Sequence, residues 1–314
     1  MKDLFKNCIS VHENDGWFAP IRFTQKQLTV YENIGEAEVI RSRCAASVML
    51  AFKSDAKKLT LGYRIKSKSR NWASFDVVCD GLLYCSIPVI DDNGELEISL
   101  TGDENVETHV YLPHLVEIEI RDIRSDSPLT PIPQKEKKWL ALGDSITQGM
   151  VSVKPSSTYP VLLSELFGYG LINEGVGGIS FNAEELDYLG FEPDLITVAL
   201  GCNDWGVERN QLSANVSEYL DRLTSIYKCR NIHLILPIWR SDENNINADM
   251  NFREHRSVIR ETVEKYPFIK IIDGYDLVPH INDYFGDPSD VKVHPSDEGF
   301  LCYALSLVGK GLFD

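Results

Sequence analysis

The alternation of apolar and amphipathic segments after residue 138 constrains the fold more than any other feature of the sequence. Short, almost fully apolar segments predict β-strands at Trp139–Leu142, Leu171–Asn173, Leu195–Leu200, Ile232–Ile238 and Ile269–Asp273. Segments with helical periodicity lie between or after them, at Tyr159–Phe167, Leu212–Tyr227, Met250–Tyr266 and Ser296–Leu312. Strands that are apolar on both faces are typical of a parallel sheet covered by helices on both sides. This part of the chain is therefore predicted to be a three-layer α/β/α domain.

The chain before residue 124 has a different pattern, in which short β-rich runs are separated by turns. Leu115–Ile123 alternates apolar and charged residues, so one face of this strand is expected on a core and the other in water. The dipeptides Asp80-Gly81 and Asn93-Gly94 each lie between two β-rich runs and supply the positive φ angles of tight hairpin turns. With almost no helical pattern, this part is predicted to be an antiparallel β-sandwich.

A stretch rich in proline and charge separates the two patterns. Residues 125–138 read SDSPLTPIPQKEKK, with three prolines and no periodicity, which is typical of a linker. We therefore predict a β-sandwich domain over residues 1–130, a linker over 131–138 and the α/β domain over 139–314.

Composition argues against several classes of protein. The 314 residues carry 31 Lys and Arg against 47 Asp and Glu, and the net charge of −16 repels phosphate backbones and anionic lipid surfaces. No apolar run has the length of a transmembrane helix, and the first residues lack the apolar core of a secretory signal. Seven scattered cysteines without a Cys-x-x-Cys pair indicate reduced thiols and no metal site. We expect a cytoplasmic protein, monomeric or homo-oligomeric, that binds neither nucleic acid nor membrane.

Four polar segments follow predicted strands or precede the closing helix. They are Gly143–Gly149 (GDSITQG), Asn173–Gly178 (NEGVGG), Gly201–Trp205 (GCNDW) and Asp290–Pro295 (DVKVHP). Because the carboxyl ends of parallel strands meet at one edge of a sheet, these segments are expected to converge there. Two carboxylates within them, Asp144 and Asp204, are interpreted as groups that fix the loops by accepting backbone N–H bonds.

These segments contain the residue types that a serine nucleophile site needs. Ser145, on a turn between strand and helix, presents its hydroxyl outward, and its own amide lies at a helix N-terminus, where anions are favoured. Gly178 offers a backbone N–H without an obstructing Cβ, and Asn203 offers a side-chain amide, so three donors can face one oxyanion. His294 is suited to take the serine proton and return it to the leaving group, with His280 as the rival base.

In this order, the four segments resemble the four sequence blocks of the SGNH hydrolases, also called GDSL esterases or lipases. The resemblance covers residues 139–314 and implies a flavodoxin-like α/β/α fold. Residue by residue, it implies Ser145 as the nucleophile, the Ser145 and Gly178 amides with the Asn203 side chain as oxyanion donors, and His294 as the base. It implies a reaction through an acyl-enzyme without a metal or other cofactor.

The N-terminal half resembles the jelly-roll domain that precedes the SGNH domain in family 2 carbohydrate esterases, through FDVVCDGLL and YLPHLVEIEIRDI. This resemblance implies hydrolysis of acetyl esters on sugars, with a small-molecule or oligosaccharide ester as substrate. The front domain is expected to shape the substrate site without supplying catalytic groups. Two alternatives stay open: a lysophospholipase or acyl thioesterase, and a carbohydrate-binding protein whose hydrolase domain is inactive.

The acid that orients His294 is the point at which the sequence departs from the family pattern. The family places an aspartate three residues before the histidine, and here that position is Val291. Pro295 suits the first position of the closing helix, so His294 is expected at its N-cap, preceded by a loop. A loop that bulges by one residue would bring Asp290 to the imidazole, and we take Asp290 as the orienting acid. A backbone carbonyl and Asp287 are the alternatives.

Overall fold

The computed structural model describes residues 1–313, which form two antiparallel sheets followed by one parallel sheet. The α-helices in this range are α1 (Gln25–Ile34), α2 (Glu36–Arg43), α3 (Ser145–Gln148), α4 (Tyr159–Phe167), α5 (Arg209–Ile226), α6 (Phe252–Val263) and α7 (Asp297–Gly309). Short 3-10 helices lie at Lys2–Leu4, Pro155–Ser157, Ala183–Glu185 and Asn282–Tyr284. Within the described range, every helix is too short or too polar to cross a bilayer.

The two antiparallel sheets form the predicted sandwich. The first contains β1 (Phe5–Lys6), β4 (Met49–Ser54), β6 (Ser74–Cys79), β7 (Leu82–Pro88), β9 (Val106–Tyr111) and β11 (Thr130–Pro131). Its order is β1-β4-β9-β6-β7, with β11 also beside β4. The second contains β2 (Ser10–Asn14), β3 (Trp17–Ile21), β5 (Lys58–Lys68), β8 (Asn93–Ser99) and β10 (Val116–Ser125), in the order β2-β3-β10-β5-β8. Apolar side chains of both sheets, such as Phe52, Phe75 and Ile118, pack in one buried core.

One of the two predicted hairpins is confirmed and the other is wrong. Asp80 and Gly81 have φ angles of 47° and 80° and join β6 to its antiparallel neighbour β7. Asn93 and Gly94 lie inside β8, where they pair with Arg64 and Tyr63 of β5. The chain crosses from one sheet to the other between β7 and β8, so an Asn-Gly dipeptide here begins a strand instead of closing a hairpin.

Two helices in the N-terminal region, α1 and α2, were not expected from the sequence. A capping box starts α1: the Thr24 side chain accepts from the Gln27 N–H, and the Gln27 side chain accepts from the Thr24 N–H. Gly35 separates α1 from α2, and α2 lies on strands β5 and β10. The Thr-x-x-Gln pattern was available as a helix start signal.

The parallel sheet follows the predicted strands and has a flavodoxin-like order. It contains β12 (Lys138–Gly143), β13 (Gly170–Gly175), β14 (Leu195–Ala199), β15 (Ile232–Ile235) and β16 (Ile269–Ile272). All neighbours are parallel, in the order β13-β12-β14-β15-β16. Helices α4 and α7 pack with one face of β12, and α5 and α6 pack with the other. The strand order reverses direction at β12, and ligands of open parallel sheets bind at such a switch point.

The segment predicted as a linker packs against the sandwich. Thr130 and Pro131 pair with β4, and Ile132 is buried, with its N–H donating to the Ala51 carbonyl at 3.3 Å. Met49 and Tyr111 of the first sheet belong to the same apolar cluster as Trp139 of β12. The two halves of the chain are therefore joined by a common buried core as well as by covalent connection.

Polar contacts also join the two halves beneath the end of β13. The fully buried Arg22 guanidinium donates to the carbonyls of Cys44 and Asn173. The Asn173 side chain donates to Ser47 Oγ at 2.9 Å. Gln27 of α1 donates to the buried Glu174 carboxyl at 2.9 Å. These bonds hold the N-terminal helices next to the edge of the sheet at which the predicted site residues end.

The buried Glu174 gives a prediction about stability and pH. Burial raises its pKa from 4.5 to about 8. The carboxyl therefore stays protonated in the folded chain between these pH values but ionises in the unfolded chain, so its contribution to stability is present at low pH and is lost as the pH rises through this window. We expect Glu174→Gln to raise the melting temperature by about 3 °C or more at pH 8.5 and by much less at pH 5. Thermal unfolding at both values, with the exposed Glu184→Gln as control, tests this; an equal effect at the two pH values would contradict it.

Candidate active site

The first strand of the parallel sheet ends in a tight turn that presents Ser145. Asp144 caps the short helix α3, and its carboxylate accepts from the Ile146 N–H at 2.9 Å. A Cβ on Gly143 would lie 2.0 Å from Thr147 Oγ1, so the turn can close this tightly only with glycine at that position. Ser145 is thereby held at the switch point of the sheet, as the first residue of a helix.

His294 and Ser145 lie within hydrogen-bonding distance. The imidazole Nε2 is 2.8 Å from Ser145 Oγ. His294 precedes α7 in an irregular loop, as predicted, but it is not the N-cap. Ser296 caps α7 by accepting from the Gly299 N–H, and the helix begins at Asp297.

The orienting acid is Asp287, and the prediction of Asp290 is wrong. Asp287 Oδ1 lies 2.6 Å from His294 Nδ1. The other carboxylate oxygen accepts from the backbone N–H groups of Val293 at 2.7 Å and His294 at 2.6 Å. Asp290 is exposed, and its backbone carbonyl accepts from Ser241 Oγ. Instead of bulging by one residue, the chain between residues 287 and 293 folds back on itself, and the Lys292 ammonium closes this loop by donating to the Asp287 carbonyl at 2.6 Å.

The pKa of Asp287 indicates an ionised carboxylate. Burial alone would raise it, but the hydrogen bond and charge of His294, together with the two backbone N–H bonds, outweigh burial and hold the pKa below its ordinary value. An ionised acceptor at Nδ1 keeps a proton on that nitrogen and leaves Nε2 free to accept one from Ser145.

The predicted oxyanion donors lie beside the serine. A Cβ on Gly177 would stand 3.4 Å from Ser145 Cβ, so the glycine pair of the β13 loop touches the nucleophile turn. Gly178 is exposed with φ at 90°, and within residues 1–313 its N–H and that of Ser145 have no acceptor. Asn203 Nδ2 donates to the Ile179 carbonyl at 2.8 Å, which uses one of its two hydrogens and leaves the other available.

The two loop carboxylates behave as predicted. Asp144 accepts from Ile146, and Asp204 Oδ1 accepts from the Phe181 N–H at 3.0 Å, which ties the Asn203 loop to the β13 loop. Burial raises the pKa of Asp144 to about 6 and that of Asp204 to about 7. Both carboxyl groups are therefore close to neutrality near physiological pH and add little negative charge beside a developing oxyanion.

The rival base lies away from the serine. His280 Nε2 is 2.9 Å from the Tyr275 carbonyl, and its ring stacks on Trp239. Trp205 is buried, and its indole N–H donates to the Met250 carbonyl. Within residues 1–313, no group of three or more His, Cys, Asp and Glu side chains is arranged to hold a metal ion.

Sequence reasoning missed three side chains that reach this site from two directions. Gln148, at the end of α3, accepts from the Gly177 N–H at 2.8 Å. From the N-terminal helix α2, Arg41 donates to the Gly177 carbonyl at 2.8 Å and to Glu38 at 3.1 Å. Gln148 lies in the serine block and was visible there. No local pattern marks Arg41 or Glu38, because they lie more than 100 residues before the serine in a part predicted to be all-β.

Comparisons with known proteins agree with this architecture. The sequence model of the GDSL-like lipase/acylhydrolase family matches residues 141–300, half of the chain. Comparison with curated proteins gives no sequence match.

Three solved structures are similar over most of their lengths. The salicylyl-acyltransferase SsfX3 from a tetracycline biosynthetic pathway has a TM-score of 0.80 at 19% identity, over 98% of this chain and 96% of that one. A family two carbohydrate esterase from Clostridium thermocellum, solved as an active site mutant, has a TM-score of 0.68 at 12% identity, over 85% and 92%. The acetyl xylan esterase Est2A from the rumen bacterium Butyrivibrio proteoclasticus has a TM-score of 0.63 at 13% identity, over 98% and 97%.

These structural likenesses include the sandwich as well as the parallel sheet, so the two-part arrangement of this chain is found in other proteins. The family match begins within β12 and ends within α7, and it includes all four segments that carry the candidate site. The chain belongs to the GDSL-like lipase/acylhydrolase family.

Proposed function

We propose that this protein is a serine esterase that removes short acyl groups, acetyl above all, from carbohydrate esters through an acyl-enzyme on Ser145. Membership of an acylhydrolase family supports ester hydrolysis or acyl transfer in general. The observation that carries the proposal is the chain of hydrogen bonds from Ser145 through His294 to Asp287, with distances of 2.8 Å and 2.6 Å.

In the acylation step, Ser145 Oγ attacks the ester carbonyl and His294 Nε2 takes its proton. The developing oxyanion accepts from the Ser145 N–H, the Gly178 N–H and the free amide hydrogen of Asn203. Asp287 stabilises the imidazolium that forms. His294 then returns the proton to the leaving alkoxide, and the alcohol departs.

Deacylation repeats these roles with water as the nucleophile. His294 takes a proton from the water as it attacks the acyl carbonyl, and the same three donors stabilise the second oxyanion. The proton then passes to Ser145 Oγ as the acid leaves. Every proton is carried by one imidazole, so the reaction needs no group beyond those of the chain.

The substrate class is supported by the site walls and by the structural neighbours. Glu38 and Arg41 form a polar wall next to Gly178, which suits a hydroxyl-rich substrate better than a long alkyl chain. Two of the neighbours are named as carbohydrate esterases, one of them as an acetyl xylan esterase. A lysophospholipase or acyl thioesterase fits this wall less well, and an inactive carbohydrate-binding protein would not need the complete Ser–His–Asp arrangement.

A series of p-nitrophenyl esters tests this proposal. We expect kcat/KM to fall by about tenfold or more from acetyl to octanoyl esters, because each added methylene must be accommodated beside charged side chains. The measurement is initial rates on esters of increasing acyl length, with Ser145→Ala as the background control. Rates that rise with acyl length would favour the lipase alternative, and no activity on any ester would favour the binding protein.

Acyl transfer is the second candidate, because an acyltransferase is similar to this chain over almost its full length. The two reactions share the acyl-enzyme and differ in whether water or an alcohol attacks it. Product analysis with and without an added sugar acceptor separates them: the esterase proposal predicts free acetate as the main product in both cases.

A further inference from the structure

Arg41 binds the peptide group that contains a candidate oxyanion donor. Its guanidinium donates to the carbonyl of Gly177 at 2.8 Å. That carbonyl and the Gly178 N–H are the two ends of a single peptide group. A cation that donates to the carbonyl end polarises the group and makes the N–H a stronger donor.

The orientation of this peptide is fixed on both sides of Gly177. The Gly177 N–H donates to Gln148 Oε1, and its carbonyl accepts from Arg41. Gln148 in turn donates to the backbone carbonyl of Arg41 at 2.9 Å, which ties α2 to the nucleophile helix. Glycine has little conformational preference of its own, so the direction of the Gly178 N–H depends on these bonds.

The charge of Arg41 also matters because a carboxylate lies beside it. A Cβ on Gly178 would stand 2.7 Å from Arg41 Nη1 and 2.8 Å from Glu38 Oε1, so the ion pair lies directly against this glycine. Both side chains are largely buried, with exposed fractions of 24% and 14%. Without the arginine, the Glu38 charge would oppose the negative charge that develops on a substrate carbonyl oxygen.

We propose that Arg41 is a positioning residue for the oxyanion hole, supplied by the N-terminal region: through its bond to the Gly177 carbonyl it aims and polarises the Gly178 N–H, and through its charge it neutralises Glu38. This inference rests on the proposed function for the reaction that it assists. It gives the front domain a part in transition-state stabilisation in addition to shaping the site.

The test combines ester kinetics with binding of a short alkyl boronic acid, which adds to a nucleophilic serine and places an oxygen in the oxyanion hole. Arg41→Met keeps the aliphatic stem but removes the charge and the donors. We expect it to lower kcat by about 10- to 100-fold with little change in KM, and to weaken boronate binding in the same proportion. Arg41→Lys, which keeps the charge without the planar donor fork, should fall between this variant and wild type.

Two further variants separate the inference from simpler explanations. Arg43→Met makes the same substitution on the same helix, at an exposed arginine paired with Glu32, and should leave kcat and boronate binding unchanged. Adding Glu38→Gln to Arg41→Met removes the opposing charge and should restore only part of the activity, because the bond to Gly177 is still missing. Full recovery in this double variant would overturn the positioning role.

The outcomes also distinguish this inference from the proposed function. Arg41→Met with kcat and boronate affinity within threefold of wild type would overturn the inference while the esterase stands; so would a loss of kcat with unchanged boronate affinity, since damage to folding alone predicts that pattern. If Arg41→Met does not fold, Arg41→Lys decides the question with the same two measurements. A wild-type chain that hydrolyses no ester contradicts the proposed function, and boronate binding then still tests the role of Arg41.

Discussion

Replacing Ser145 by alanine is expected to lower kcat for ester hydrolysis by about 10⁴- to 10⁶-fold, because the substitution removes the atom that forms the acyl bond. The fold should be kept, since Ser145 Oγ contacts only the His294 ring through hydrogen bonding. Turnover of p-nitrophenyl acetate, together with circular dichroism, measures both effects. Ser257→Ala, on the exposed side of α6, is the matched control. An alanine variant as active as wild type, in a preparation free of host esterase, would exclude Ser145 as the nucleophile.

Replacing Asp287 by asparagine is expected to lower kcat by about 10³- to 10⁴-fold. The amide keeps the shape of the carboxylate and still accepts backbone N–H bonds through its oxygen. Its NH2 group, however, then faces His294 Nδ1 and favours the tautomer with the proton on Nε2, which cannot accept the serine proton. The size of the loss therefore measures how far catalysis depends on the tautomer.

The matched control for this substitution is Asp290→Asn, three residues away in the same loop. Its side chain is exposed, so kcat should stay within about threefold of wild type. The reverse result, with Asp290→Asn inactive and Asp287→Asn active, would restore the assignment made from sequence spacing. Two active variants with an inactive His294→Ala would indicate a Ser–His dyad.

The sequence predicted the α/β half well because its signals are local. Apolar strands, amphipathic helices and the polar segments that follow the strands all depend on a few neighbouring residues, and the order of a parallel sheet brings the strand ends together. Ser145 and His294 were thus placed correctly although 149 residues separate them. The hairpin at Asn93-Gly94 failed for a related reason: the dipeptide indicates a local bend, but which sheet a strand joins is decided by packing across the whole sandwich.

The orienting acid and the arginine were beyond local reasoning for two different reasons. Asp287 reaches the imidazole because residues 287–293 form a loop closed by side-chain to backbone bonds, such as that of Lys292, and the path of such a loop is not a property of residue spacing. Arg41 acts across a contact between two halves of the chain that the sequence presents as separate domains. The Thr24–Gln27 capping box announced a helix in that region but not the surface on which it packs.

The central claim, that Ser145 is the nucleophile, is tested most directly by trapping it with a phosphonate p-nitrophenyl ester, which forms a stable tetrahedral adduct with an activated serine. Peptide mapping by mass spectrometry of the inactivated protein should place one phosphonyl group per chain on Ser145, with loss of ester hydrolysis in proportion to labelling. Ser145→Ala should take up no label, and Asp287→Asn should react much more slowly than Asp290→Asn. Complete inactivation with Ser145 unmodified, or a label on another residue, would contradict the account.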